Sequence, residues 1–238
     1  MILETRPATG PLRGELFPPG DKSISHRSLI FGCLASGITR VQGLLDSEDV
    51  RATASACRQL GMKAHREGKT LVLTGTGDTG LSAPAAPLDM GNSGTAMRLL
   101  AGVLAGQAFD SVLVGDESLS KRPMNRIVKP LRTMGAVIET DEDGTPPLRI
   151  RGTRGLKGMD YASPIASAQV KSCLLLAGLY ASGTTTVSEP LQSRDHTEQM
   201  LPAFGVELAG KCGVRGGSRL RGADIVVRGD VASAAGVV

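Results

Sequence analysis

The chain has 238 residues, 41% of them hydrophobic, with 27 Lys and Arg against 23 Asp and Glu, so it can bury one large or two small cores and is too apolar for disorder. Aromatic residues make up only 3%, Trp is absent, and 31 Gly and 13 Pro occur without a fixed short period, which excludes collagen-like order and a stacking platform for single-stranded nucleic acid. The net charge of +4 comes without a Lys/Arg run, and neither a membrane span nor a signal peptide is apparent, so a cytoplasmic chain with small acidic ligands is expected, without nucleic-acid or membrane partners.

Residues 1 to about 14 read as a short strand-like lead with two prolines. One pattern then occurs three times: a polar turn with a serine, an apolar helix, a glycine, a β-branched strand, a second helix and an apolar-Gly-apolar turn. In the first copy, about 15–80, helix one is expected after Ser23, with Leu29, Ile30, Cys33 and Leu34 at helical spacing. Gly37 and the strand Ile38–Val41 follow, then a helix ending at Leu60-Gly61-Met62 and short strands near Lys63–His65 and Leu71–Thr74. The second copy, about 81–155, repeats this with Ser93, Met97, Leu99, Leu100 and Val103, then Gly106, Ser111–Val114, Met134-Gly135-Ala136, and strands near Val137–Thr140 and Leu148–Arg151. The third, about 156–228, has Ser167, Val170, Cys173, Leu174 and Ala177, then Gly183, Thr184–Val187, Phe204-Gly205-Val206, and strands expected near Glu207–Ala209 and Asp224–Val227. Residues 229–238 form a small-residue, apolar tract of the kind that begins a helix, so the chain is expected to stop inside a longer protein.

Each copy reads β-α-β-α-β-β and covers only part of its own apolar surface. The expected fold is therefore α/β, with three such units around a pseudo-threefold axis, helices inward and sheets outward. Gly61, Gly135 and Gly205 suit the left-handed turn that ends a helix. The axis would bring together the starts of the first helices at Lys22-Ser23, Ser93-Gly94-Thr95 and Ser167-Ala168-Gln169, where free N–H groups and the helix dipole favour an anion. The hydroxyls of Ser23, Ser93, Thr95 and Ser167 are suited equally to capping and to ligand contact. Gly94 lies where a missing Cβ lets something approach the backbone.

Basic residues cluster at the same turns: Lys22, Arg27, Arg98, Lys121, Arg122, Lys171 and Arg194. Arg forks and Lys charges in this number describe a site for a small polyanion. His26 and His196 are expected to pack, His65 to be exposed, and Cys33, Cys57, Cys173 and Cys212 to be reduced structural thiols. No dinucleotide fingerprint, phosphate loop, Gly-x-Ser-x-Gly elbow or paired metal-ligating His occurs, so neither metal nor cofactor is expected.

The segments Pro19-Gly20-Asp21-Lys22-Ser23-Ile24-Ser25-His26-Arg27, Gly91-Asn92-Ser93-Gly94-Thr95-Ala96-Met97-Arg98, Lys121-Arg122-Pro123-Met124 and Ser167-Ala168-Gln169-Val170-Lys171-Ser172 resemble the 5-enolpyruvylshikimate-3-phosphate synthase family, in order, from about residue 10 to the end. The resemblance implies cofactor-free transfer of the enolpyruvyl group of phosphoenolpyruvate to the 5-hydroxyl of shikimate 3-phosphate, with release of phosphate, in aromatic amino acid synthesis. It assigns Lys22, Ser23, Arg27, Ser167, Ala168, Gln169 and Arg194 to shikimate 3-phosphate, and Lys22, Gly94, Thr95, Arg122 and Gln169 to phosphoenolpyruvate, with Lys22 the catalytic member.

Three positions depart from the family's common pattern. Ala168 stands in place of a frequent serine and Leu191 in place of a tyrosine, with Arg194 expected to meet the substrate carboxylate instead. Leu99 follows Arg98 where proline is frequent. Gly94 matches the form expected to admit glyphosate. The family carries a second domain of the same design, to which residues 1–14 and 229–238 would contribute and which holds the acid/base residues. The chain is thus expected to be an N-terminal half, inactive alone and able to self-associate through the face that domain would cover. A non-catalytic anion-binding module and one half of a split enzyme are the alternatives.

Overall fold

A computed structural model describes residues 18–77 and 79–230, so the expected lead at 1–14 and nearly all of the closing tract at 229–238 lie outside the described residues. The first repeat runs α1 (Lys22–Leu34), β1 (Ile38–Gln42), α2 (Glu48–Gln59), β2 (Lys63–Glu67) and β3 (Thr70–Thr74). The second runs β4 (Leu88–Asp89), α3 (Gly94–Leu104), β5 (Ser111–Val114), α4 (Asn125–Thr133), β6 (Val137–Glu139) and β7 (Leu148–Arg151). The third runs β8 (Asp160–Ala162), α5 (Ala168–Gly178), β9 (Thr184–Ser188), α6 (His196–Ala203) and β10 (Gly213–Arg215), followed by β11 (Asp224–Val226).

The helices α1, α3 and α5 are apolar or small around most of their circumference, and they form the centre: α1 is buried at every residue from Ser25 to Leu34 and α5 from Val170 to Gly178. At the crossing of α3 and α5, a Cβ on Gly102 would lie 2.1 Å from the Cys173 carbonyl oxygen, so glycine is what lets the two backbones meet. The second helices are amphipathic. In α2, Ser47 caps the start, Glu48 and Asp49 face the positive end of the dipole, Arg58 faces the negative end, and Val50, Ala56 and Cys57 turn inward. Phe31 of α1 meets Phe204, just past α6, edge to face with ring centres 5.5 Å apart. The cap glycines Gly61, Gly135 and Gly205 have φ of +109°, +103° and +80°.

All three sheets share one plan, a lead strand parallel to a central strand and a return strand antiparallel to it. In the second sheet β4 leads β5, and β7 then β6 complete it. In the third, β8 leads β9 and β10 returns. The lead strand of the first sheet comes from the far end of the chain: β11 lies parallel to β1, with Arg40 opposite Asp224 and Gln42 opposite Val226, while β3 and β2 continue on the other side. The strand expected near Asp224–Val227 therefore forms, but in the sheet of the first repeat instead of the third. The strand expected at Glu207–Ala209 does not form. Gly210 at φ +66° and the Ala209 N–H donating to the Gly213 carbonyl at 2.8 Å make a tight turn there, and pairing starts only at Gly213.

Strand exchange closes the three units into a ring. It also places the ends of the described chain side by side: the Asp21 N–H donates to the Arg228 carbonyl, and the Asp230 N–H to the Pro19 carbonyl, each at 2.9 Å.

Candidate anion-binding site

The starts of the three central helices meet at one end of the ring. Asp21, Lys22, Ser23 and Arg27 from α1 and its cap, Thr95 from α3, Ser167, Ala168 and Gln169 at the start of α5, Arg194 and Asp230 line one open cleft of about 360 Å³. All seven residues expected to hold shikimate 3-phosphate are among them. Of the second expected group, Lys22, Thr95 and Gln169 line the cleft, while Gly94 and Arg122 lie to one side of it.

Local capping differs among the three starts. Ser93 Oγ accepts the Ala96 N–H at 3.1 Å and Ser167 Oγ the Val170 N–H at 3.4 Å, so both serines are caps. Helix α1 begins earlier than expected, at Lys22, because Asp21 caps it by accepting the Ile24 N–H at 2.7 Å. Ser23 is thereby left inside the first turn with its hydroxyl turned to other partners: it accepts from Arg27 Nη1 at 2.5 Å and lies 3.0 Å from His196 Nδ1.

Arg27 is 1% exposed, and every partner of its guanidinium is neutral. Nε donates to Thr197 Oγ1 at 2.7 Å, Nη2 to Ser172 Oγ at 2.5 Å, and Nη1 also to the Ser23 carbonyl at 3.1 Å. Burial pushes its pKa down to about 10, with Glu198 and Asp21 opposing and Arg194 adding to the shift. The side chain stays cationic at neutral pH, fixed in position and lacking a carboxylate in direct contact, a state that an entering anion relieves. Lys22 is half exposed and pairs with Asp49 at 3.0 Å. An exposed pair of this kind is worth at most about 1 kcal/mol, so a ligand can take the ammonium over.

A second set of contacts ties α3 to α5. Gln169 donates to Thr95 Oγ1 at 2.9 Å and accepts from Arg98 Nη1 at 2.9 Å, and Arg98 also donates to the Gly94 carbonyl at 3.2 Å. A Cβ on Gly94 would lie 2.6 Å from Arg98 Nη1 and 3.5 Å from Arg122 Nη1, so the missing side chain leaves room for two guanidinium groups at this helix start. Arg122 is held by Asn92 and by Ser118 Oγ.

The basic cluster read from the sequence is not all directed at the cleft. Lys171 is 4% exposed and is engaged by two carboxylates, Glu189 at 3.1 Å and Glu198 at 2.7 Å, while Lys121 is exposed and paired with Glu117. His26 is buried with Nδ1 2.7 Å from Thr53 Oγ1, His65 is exposed beside Glu67, and His196 opens α6 beside Ser23. The four cysteines are free thiols, and Cys33, Cys57 and Cys173 are buried. Thr197 and Asp49, which orient Arg27 and Lys22, have no local motif that would have found them, and Ser172, which also holds Arg27, closes the segment Ser167-Ala168-Gln169-Val170-Lys171-Ser172 with no role assigned to it from the sequence. Among the described residues no group of His, Cys, Asp and Glu could hold a metal ion, and no helix is long and apolar enough to cross a membrane.

The family described as EPSP synthase (3-phosphoshikimate 1-carboxyvinyltransferase) matches residues 7–238. The chain is 58% identical over 228 residues to the 3-phosphoshikimate 1-carboxyvinyltransferase of Xanthomonas campestris pv. campestris (strain 8004), covering 94% of this chain and 52% of that protein. It is 54% identical to the protein of the same name from Xanthomonas oryzae pv. oryzae (strain PXO99A), with the same coverage. A solved EPSP synthase from Acinetobacter baumannii superimposes with a TM-score of 0.88 at 54% identity, over 93% of this chain and 51% of that one. The chain thus spans about half the length of the curated relatives it matches.

Proposed function

Because the chain belongs to the EPSP synthase family, we propose that it supplies the shikimate 3-phosphate half of a cytoplasmic enzyme that transfers the enolpyruvyl group of phosphoenolpyruvate to the 5-hydroxyl of shikimate 3-phosphate and releases phosphate. The observation that carries this reading is the convergence of Lys22, Ser23, Arg27, Ser167, Gln169 and Arg194 from separate repeats on one cleft. Shikimate 3-phosphate brings a phosphate and a carboxylate. The buried Arg27 and the cleft-lining Arg194 are suited to these groups by their planar donors, and the first turns of α1 and α5 add free N–H groups. The Lys22 ammonium, free to leave Asp49, suits the position between two anionic substrates, where it offsets their repulsion and the charge developing on transfer.

Gly94, Arg98 and Arg122 extend the cationic surface beyond Gln169, and we assign phosphoenolpyruvate, and glyphosate as its competitor, to that side. Turnover would then need the length that the relatives have and this chain does not span. The domain limits 15–228 for the substrate-binding unit, with its flanks joining a second domain, are part of the same proposal.

Calorimetric titration of the 238-residue chain with shikimate 3-phosphate tests it. Arg27→Ala and Arg194→Ala are each expected to weaken binding by about 10-fold or more, the scale of losing a hydrogen bond to a charged group. Wild-type binding that neither change weakens would overturn the assignment of the cleft. Phosphate release by this chain alone, abolished in Lys22→Met, would overturn the division of labour.

A further inference from the structure

Beneath the cleft lies a buried ionic cluster that no ligand assignment uses. Lys171 of α5 bridges Glu189, in the loop after β9, and Glu198 of α6; the side chains are 5%, 7% and 9% exposed. Glu189 collects donors from two segments of the site. Its Oε1 accepts the Ser167 N–H at 2.7 Å, Oε2 accepts the Ser193 N–H at 3.3 Å, and the Ser193 hydroxyl donates to both oxygens, at 2.9 and 2.7 Å. Ser167 opens α5 at the cleft, and Ser193 immediately precedes Arg194. The Ser167 N–H and the 189–195 loop are therefore fixed to one carboxylate, and Lys171 supplies the charge that allows that carboxylate to be buried.

A parallel link runs one residue away on both helices. Ser172 and Thr197, the neighbours of Lys171 and Glu198, lie 2.7 Å apart and both accept from Arg27. Burial works against the Glu189 carboxylate, yet its donors from Ser193, Ser167 and Lys171 outweigh burial and keep its pKa below the ordinary range.

We propose that Glu189, paired with Lys171, is a positioning residue that sets the start of α5 and Arg194 at the spacing an anion in the cleft requires. The inference deepens the reading of the cleft as a shikimate 3-phosphate site and rests on it. Glutamine at this position keeps the shape but offers one acceptor oxygen where the carboxylate offers two, and brings donors that face Lys171 and the Ser193 N–H.

The test combines titration of the 238-residue chain with shikimate 3-phosphate and amide hydrogen exchange followed by NMR. Glu189→Gln is expected to weaken binding by about 10-fold, with exchange accelerated at Ser167 and Ser193 but not along α1 and α3. Unchanged affinity and unchanged exchange at Ser167 and Ser193 in Glu189→Gln would overturn the proposal. So would equal loss of protection throughout the chain, which marks a merely structural role. If the wild-type chain does not bind, the ligand reading fails by itself, and the exchange pattern still decides whether Glu189 sets the two segments.

Discussion

At His26, burial decides the protonation state. Nδ1 has Thr53 as its partner and Nε2 has none, so an imidazolium would place a second, unanswered donor in the core. Burial, against the pull of Asp49, pushes its pKa down to about 4 from an ordinary 6.5. Between those values the unfolded chain binds the proton and the folded one does not, so stability is complete above about pH 6.5 and falls as pH drops toward 4, by about 3 kcal/mol in total. His196, also lowered by burial, adds in the same direction. Urea unfolding at pH 7, 6 and 5 should show this loss, and His26→Asn should flatten it; an equally steep profile in the variant would assign the slope elsewhere. The residues of the cleft were legible because they stand in short unbroken runs at helix starts. The register of α1 was harder to read, since Asp21, Ser23 and Ser25 are all competent caps, and the choice depends on Arg27 recruiting Ser23 from within the folded core. Lys171 misled for a related reason: its spacing from Ser167 puts it on the cleft side of α5, while the carboxylates that capture it come from the segment after β9 and from α6.

Among the elements, the closest helix contact is the crossing of α3 and α5. Gly102→Ala would drive a methyl into the Cys173 carbonyl, which is backbone and cannot turn away, so the helices must separate at a cost of about 2 kcal/mol or more. Chemical denaturation reads this directly, and a stability equal to wild type would mean that the helices are free to slide. The same separation would stretch the Gln169 links to Thr95 and Arg98, coupling core packing to the cleft. The central helices were legible from their aliphatic spacing, and the helix-ending glycines from their place before the next strand. The Glu207–Ala209 strand was misread because Val206-Glu207-Leu208 alternates like a strand, while the turn at Gly210 delays pairing until Gly213.

For the whole molecule, closure of the ring is the property that sequence periodicity could not supply. The residues of β11 read as a strand, but propensity does not specify the partner, and it joins β1 across nearly the full chain. A chain ending at Ala223 would leave the inner edge of β1 unpaired and remove the buried Val227, with an expected loss of about 3 kcal/mol and a tendency to self-associate through that edge. Unfolding curves and light scattering would reveal both, and an unchanged midpoint would reduce β11 to an ornament. Closure also imposes a timetable on synthesis. A ribosome releases the first repeat long before Asp224, so sheet one must wait with an open flank while the second and third sheets, whose strands are nearer in sequence, can already be complete. Within these three repeats the sheet begun first is thus the last to be paired, and the arrival of β11 beside β1 brings Arg228 to Asp21 and Asp230 to Pro19, setting Asp21 and Asp230 together in the lining of the cleft.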